Sequence, residues 1–310
     1  MKILLTGSSG FVGTNLAEHL VTEHEVFGVD LVAPIEPMYP TTYFKGDLLD
    51  RKFLDELFKQ HKFDIVLHFG AQARVEPSLT DPIGTFRNNV QATINIMEGC
   101  LKYKIRLVYA SSETIYGEAD RYPEKEHYHF RPDNAYAASK AACDILVSNC
   151  HGLKSVVVRS AMGYGPRSPP NQVVTKFMLK AIDGKGLLFP DGPVRHPTRD
   201  MNYIGNFVEG VRLILEHPDV TGIFNIGSGE EIDMLSLAEK IISIVGNGEI
   251  VYDHNFKYRP GEEGKRTWLD ITKAKITIGY EPKIKVDEGL RLTHNWLVNG
   301  GRKLYGWWTK

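Results

Sequence analysis

Tyr136 and Lys140 stand four residues apart in Tyr136-Ala137-Ala138-Ser139-Lys140, which puts a phenol and an ammonium on one face of a helix. A cation beside a phenol favours the phenolate and prepares its oxygen to accept a proton. Taken alone, such a pair is more often a helix surface than a catalyst. Upstream, Tyr109-Ala110-Ser111-Ser112-Glu113-Thr114-Ile115-Tyr116-Gly117 follows an apolar, strand-like run and offers Ser112 as a second hydroxyl to share that proton. Serines at such a place also serve the turn's own backbone groups. Glu113 adds a carboxylate, which either takes part in acid–base work or faces solvent.

A second constellation suits phosphates. Thr6-Gly7-Ser8-Ser9-Gly10-Phe11-Val12-Gly13 follows the first strand-like run and opens an amphipathic helix. Gly7, Gly10 and Gly13 permit a tight turn and close approach of backbone to a pyrophosphate. Phe11 and Val12 lie where helix N–H groups face that ligand. The Gly-x-x-Gly-x-x-Gly spacing is a variant of the commoner Gly-x-Gly-x-x-Gly. Asp30 closes the next strand, Val26–Asp30, roughly 20 residues further on, where an acid takes the two ribose hydroxyls of NAD and repels the extra phosphate of NADP. Oxidised nicotinamide carries a positive charge and would favour the Tyr136 phenolate in its turn.

These residues need elements to hold them. Strands are expected at Ile3–Thr6, Val26–Asp30, Ile65–Phe69, Arg106–Ala110 and Ser155–Val158, all apolar and bounded by polar or glycine residues. Helices are expected at Phe11–Thr22, Lys52–Lys59, Gly84–Tyr103 and Ala135–Cys150. Alternation of this kind calls for an α/β fold, a Rossmann-type doubly wound parallel sheet. After Gly163 the pattern changes, and Gly165-Pro166-Arg167-Ser168-Pro169-Pro170 reads as a loop. Helices follow at Gln172–Asp183, Asn206–Glu216, Met234–Ile244 and Asp287–Leu297. Residues 1–163 are thus expected to form an NAD-binding domain to which 198–228 return, and 164–310 a smaller substrate lobe. Tyr305-Gly306-Trp307-Trp308 would cap that lobe or meet another subunit.

Composition excludes other classes. Net charge is -1 over 310 residues, so no global basic field recruits nucleic acid or a membrane. No apolar run approaches the roughly 20 residues of a membrane span, and no secretory leader opens the chain. Cys100, Cys143 and Cys150 show no metal-ligand spacing, and His127 and His129 read as loop residues, so no metal site is expected. The setting expected from the cysteines is the reduced cytoplasm.

Over nearly its whole length the chain resembles the extended short-chain dehydrogenase/reductase family, in its NAD-dependent epimerase/dehydratase branch. Besides the motifs above, the resemblance rests on Gly46-Asp47-Leu48, His68-Phe69-Gly70-Ala71-Gln72, Asn89-Val90, Tyr164-Gly165-Pro166, Arg199-Asp200, Asn225-Ile226-Gly227-Ser228-Gly229, Tyr258-Arg259-Pro260-Gly261 and Asp270…Lys273-Ala274. It implies that Tyr136 transfers the proton, that Lys140 binds the nicotinamide ribose and tunes Tyr136, and that Ser112 assists. It implies further that Asp47 and Leu48 contact the adenine end of NAD and that Phe69, Gly70, Ala71 and Asn89 complete the cofactor site. Arg199 and Arg259 would clamp the diphosphate of a nucleotide-sugar substrate. Similar proteins are often homodimers, pairing helices equivalent to Gly84–Tyr103 and Ala135–Cys150.

Members of the family begin by oxidising sugar carbon 4. Epimerases then return hydride to the other face, whereas dehydratases eliminate water and resemble one another in a Thr-Asp-Glu triplet. This chain reads Ser112-Glu113-Thr114, so Thr114 stands in the register of the dehydratase Glu and Glu113 in that of the Asp. His68 to Leu79 also resembles the corresponding segment of UDP-glucuronate 4-epimerases. The expectation is therefore a UDP-hexose or UDP-hexuronate 4-epimerase. A dehydratase using Glu113, a reductase, and a non-catalytic NAD-binding sensor are the alternatives. Met162 stands where most relatives carry an Asn that hydrogen-bonds the substrate, a bond Met cannot donate.

Overall fold

The computed structural model describes residues 1–34, 42–259 and 261–307. Pro260 of the Tyr258–Gly261 motif and Trp308 of the C-terminal aromatic group lie outside the described residues. The chain begins with β1 (Lys2–Thr6), α1 (Phe11–Leu20), β2 (Glu25–Asp30), β3 (Thr42–Lys45), α2 (Arg51–His61), β4 (Ile65–His68), α3 (Val75–Thr80), α4 (Pro82–Tyr103), β5 (Arg106–Ser112), α5 (Ala135–Ser148) and β6 (Ser155–Ser160). It continues through β7 (Met162–Tyr164), α6 (Val173–Ile182), β8 (Leu187–Pro190), β9 (Thr198–Tyr203), α7 (Ile204–Glu216), β10 (Gly222–Ile226), β11 (Glu231–Asp233), α8 (Met234–Val245), β12 (Ile250–Asp253), α9 (Thr272–Ile278) and α10 (Val286–Val298). The expected strands and long helices are present. The expected set lacks β3, β10, the short helices α3 and α9, and the short strands of the second half.

Seven strands form one sheet in the order β10-β6-β5-β4-β1-β2-β3, with β1–β2, β2–β3, β1–β4, β4–β5 and β5–β6 pairing in parallel. The order reverses at β1, which lies between β2 and β4. Such a switch point opens a crevice at the carboxyl ends of the strands, where ligands of these folds bind. Pairing of Thr6 with both Val29 and His68 brings the ends of β1, β2 and β4 level. The expected α/β, Rossmann-type doubly wound sheet is therefore the observed fold.

The chain divides into two compact units, one of residues 1–117, 126–160 and 211–225 and the other of 118–125, 161–210 and 226–310. Of the segment 198–228, residues 211–225 group with the sheet unit, while 198–210 and 226–228 group with the other. In the first unit Leu4, Phe27, Val66, Ile96, Leu107 and Val157 belong to one buried cluster between sheet and helices. Arg106 of β5 donates to Ile214 O, His217 O and Val220 O, supplying acceptors in and just past the last turn of α7 with donors. The second unit has a separate core that includes Met178, Phe189, Met201, Leu237 and Leu290, with Met162 packed partly buried against it. Among the described residues no helix is long and apolar enough to cross a membrane.

The β1–α1 turn is closely packed. Gly7 has φ +71, and a Cβ on Gly13 would lie 2.0 Å from Gly7 O. A Gly13→Ala substitution is expected to destabilise the chain by roughly 1–3 kcal/mol, as overpacking does. Urea denaturation measures this, and an unchanged midpoint would show that the turn has slack.

Candidate active site

The carboxyl edge of the sheet gathers the expected cofactor residues of the first unit. Gly10 caps α1 with no side-chain hydrogen bond to the helix, and no acid stands in the first turn where Phe11 and Val12 lie. By contrast α2, α4, α5 and α8 are capped by Asp50, Asp81, Asn134 and Asp233. The N–H groups of α1 thus keep their affinity for an external anion. Asp30 ends β2 and its Oδ2 accepts from Ser9 N at 3.0 Å, so the glycine turn and the acid are joined directly. Burial raises the Asp30 carboxyl, opposed by backbone donors from Ser9, Val32 and Leu31.

After β3, exposed Asp47 accepts from Leu49 N at 2.9 Å, and half-buried Leu48 packs against the core while its carbonyl accepts from Asn95. Phe69, Gly70 and Ala71 leave β4, with Gly70 N donating to Thr6 Oγ1 at 3.1 Å. Thr6 Oγ1 also meets His68 Nδ1 at 2.7 Å, and His68 Nε2 meets Thr93 Oγ1 at 3.2 Å. Burial, aided by the Lys140 charge, pushes His68 down to about 3, so its ring is neutral. Thr93 spends its proton on Asn89 O, which makes Nε2 the donating nitrogen.

Asn89 itself is buried. Its amide donates to Gln72 O at 3.0 Å and to Ser139 Oγ at 2.9 Å, and accepts from Gln72 N at 2.8 Å. It fastens the loop after β4 to the helix that carries Tyr136, and its amide is fully engaged by protein. Gln72 and Ser139 are the partners that sequence reasoning missed, because each sits in a motif where its neighbours carry the recognisable chemistry.

The four expected catalytic residues divide between the end of β5 with the turn after it and α5. Asn134 Oδ1 accepts from Ala137 N, which starts α5 and sets Tyr136 in its first turn. Lys140 follows one turn later, only 4% exposed, with Nζ donating to Ala110 O at 2.7 Å. Ser112 ends β5, and its hydroxyl oxygen accepts from Thr114 Oγ1 at 3.0 Å. The Ser112 hydroxyl bonds the Tyr136 phenol and favours its ionised form. Glu113, 4% exposed, opens a 3-10 turn and its charge acts on Tyr136 in the opposite sense.

One expectation needs correcting. Helical spacing predicts that Lys140 lowers the Tyr136 phenol, but burial holds that phenol above its usual value and Lys140 is not among the groups that shift it. The ammonium gives one of its three N–H groups to Ala110 O. Burial also lowers Lys140 itself to about 8. Likewise Ser111 is no turn filler. Its hydroxyl donates to Asp144 Oδ2 at 2.7 Å, within a buried cluster where Arg159 makes two bonds of 2.9 Å to Asp144.

In the second unit Arg199 is 7% exposed. Its guanidinium donates to Thr198 O at 2.7 Å, Lys265 O at 3.3 Å and Glu262 Oε2 at 2.8 Å. Arg259 donates to the other Glu262 oxygen at 3.2 Å. The two expected substrate arginines are thus brought together on one carboxylate. Glu262 escapes a sequence reading because an acid three residues from an Arg resembles an ordinary surface pair. Among the described residues no group of three or more His, Cys, Asp or Glu could hold a metal, and His127 and His129 are exposed.

Comparison with known proteins places this site in its family. The family model described as GDP-mannose 4,6 dehydratase matches residues 4–293. The chain belongs to the NAD-dependent epimerase/dehydratase family. Among solved structures it is similar to a UDP-glucose 4-epimerase of Thermus thermophilus in complex with NAD, with TM-score 0.85 and 30% identity over 95% of this chain and 98% of that one. It is likewise similar to the Thermotoga maritima UDP-glucose 4-epimerase with UDP-glucose, with TM-score 0.88 and 28% identity over 96% and 99%. A dTDP-glucose 4,6-dehydratase of Streptomyces niveus is 27% identical, covering 99% of this chain and 95% of its own. Both reactions occur among the relatives, so the choice between them falls to the site's own residues.

Lys140 offers a measurable signature. Its folded value lies below the 10.5 of an ordinary lysine, so the buried charge costs stability fully below about pH 8, and the cost fades as pH rises towards 10.5. Relative to Lys140→Met, the wild-type chain is expected to gain on the order of 2–3 kcal/mol over that window. Denaturation at pH 7 and pH 10 measures the difference. Parallel curves would show that the ammonium is well solvated.

Proposed function

We propose that the chain is a nucleotide-sugar 4-epimerase that oxidises sugar carbon 4 transiently with tightly held NAD and takes a UDP-hexose or UDP-hexuronate. The observation that carries the reading is the Thr114–Ser112–Tyr136 hydrogen-bonded sequence. The triplet position that would hold an elimination base carries a hydroxyl, and that hydroxyl is spent on orienting Ser112. The protein groups fit the cofactor: α1 presents an uncapped N-terminus, Asp30 stands at the ribose position, and a Cβ at Gly7 or Gly13 would collide with neighbouring backbone.

Bound NAD supplies the acceptor and donor of hydride. Tyr136 takes the proton of the carbon-4 hydroxyl and later returns it, while Ser112 hydrogen-bonds the same oxygen. Lys140, held by Ala110 O, offers its remaining N–H groups to the ribose. Arg199 and Arg259 take the substrate diphosphate. Asp30 favours NAD over NADP. Burial of the phenol works against its role as base, so ionisation in the working enzyme draws on the nicotinamide charge and Ser112.

A second reading, a dehydratase using Glu113, is favoured by the burial of that carboxylate and its action on Tyr136. The notion of a silent sensor is weakened by the intact hydroxyl pair. Exposed Ile83 and Phe86 on α4 and Ile145 and Leu146 on α5 support a homodimer through these helices. A sedimentation profile of monomers at micromolar concentration would reject it. Three free cysteines agree with a reducing, cytoplasmic setting.

Incubation with UDP-, dTDP-, GDP- and CDP-sugars, without added NAD, followed by chromatography and mass spectrometry, tests the reaction. An isomer of unchanged mass is expected, and a product lighter by one water would establish the dehydratase instead. Tyr136→Phe is expected to lose turnover by about a thousandfold while retaining NAD. Glu113→Gln is expected to remain active with the acid limb of its pH profile moved to lower pH, because a charge that raises the phenol is removed. Collapse of Glu113→Gln would point to elimination chemistry.

A further inference from the structure

The shared carboxylate of Glu262 raises a question that the clamp alone does not answer. Arg199 has a side chain only 9% exposed, and Glu262 is 24% exposed against 54% for Arg259. A guanidinium this far from water needs a counter-charge, and a carboxylate gripped from two sides supplies it. Each Glu262 oxygen serves one arginine, Oε2 to Arg199 and Oε1 to Arg259. Both arginines therefore point to one place, which an anion already fills.

We propose that Glu262 is a resident counter-anion which the diphosphate of the substrate must displace from Arg199 and Arg259. The inference rests on the proposed role of those arginines. The surroundings suit an exchange. Arg199 Nη1 stays tied to Thr198 O and Lys265 O, so the guanidinium keeps its direction when Glu262 leaves. Glu262 sits in a turn closed by its own N–H on Arg259 O at 3.0 Å and by Lys265 N on its carbonyl at 3.1 Å, so the carboxylate can swing by side-chain rotation alone. Gly261 beside it has φ +77, and a Cβ there would meet nothing within 4 Å, which leaves room at the turn. A diphosphate brings more charge and more acceptor oxygens than one carboxylate, so it wins the exchange. Anions with less charge do not. Glu262 thereby lowers affinity for every anion and raises selectivity for diphosphates.

Calorimetric titration of the full chain with UDP and with dTDP tests this, using wild type, Glu262→Gln, Glu262→Ala and Arg259→Met, with circular dichroism to confirm folding. Both Glu262 variants are expected to bind the preferred nucleotide roughly fivefold or more tighter than wild type, and Arg259→Met roughly tenfold weaker. The alanine variant carries the test if the glutamine variant fails to fold. A partner that merely holds the turn would have the opposite effect, loosening the arginines and weakening binding. If Arg259→Met loses affinity while the Glu262 variants match wild type or bind less well, the displacement idea fails and the clamp stands. If Arg259→Met binds like wild type, or no form of the chain binds either nucleotide, the clamp fails and takes the displacement idea with it.

Discussion

The ion pair between Asp144 and Arg159 governs where Ser112, Tyr136 and Lys140, the proposed catalytic groups of the first unit, can be. Arg159 of β6 is 1% exposed and Asp144 of α5 fully buried, joined by two bonds of 2.9 Å. The remaining guanidinium nitrogen donates to Tyr116 O–H at 2.8 Å and Glu126 O at 2.7 Å, and the Phe130 ring lies 4.7 Å away. Ser111 of β5 donates into the same carboxylate. Helix and two strands are thereby held in one register. Breaking such a pair leaves a buried charge alone and costs about 3–5 kcal/mol, so sliding of α5 is strongly opposed. Asp144 lies one turn beyond Lys140 and two beyond Tyr136, and Ser111 adjoins Ser112. The pair therefore sets the distance over which Ser112 and Tyr136 meet.

With position secured in this way, the chemistry carries the costs. Lys140 stays in a dry place although burial pulls it to about 8, and Tyr136 is held protonated by burial and by Glu113. Neither group sits where stability alone would put it. Sites that hold charges against their solvation preference are those where the same groups act strongly on whatever enters, because the surrounding dielectric is low. The neutral His68 shows the complementary choice: both ring nitrogens are satisfied by threonines, and no charge is needed.

Much of this is legible in the sequence because it follows from local patterns. The apolar runs of β1, β2, β4, β5 and β6 and the glycine turn announce themselves by composition, and Tyr136 and Lys140 by spacing. What is not legible depends on contacts distant in the chain. Strand β3, Thr42–Lys45, has too little apolar character to stand out, since three of its residues are only partly buried. The motif marks Asn89, but not that its amide bonds Gln72 and Ser139, partners set by the packing of α4 against α5. The direction of the Tyr136 shift escapes the sequence for a similar reason. Helical spacing brings Lys140 near, but spacing is silent about the burial of the phenol, which raises it.

The two expected anion sites are treated in opposite ways, and physics supplies the reason. The N-terminus of α1 carries about half a charge, spread over several N–H groups, so it can be left without a side-chain cap at little cost. Arg199 carries a full charge in a nearly buried place, and leaving it alone would cost far more than a half-buried carboxylate loses by pairing with it. A resident anion is therefore needed for the arginines and not for the helix. The helix end can hold a permanently bound ligand with nothing to displace, as suits a cofactor retained through every turnover. Under the proposed displacement the arginines, by contrast, exchange one partner for another, and a resident carboxylate returns them to a satisfied state when the diphosphate leaves. Tight retention at one site and ready exchange at the other are what the proposed epimerase, with a resident cofactor and a passing substrate, requires.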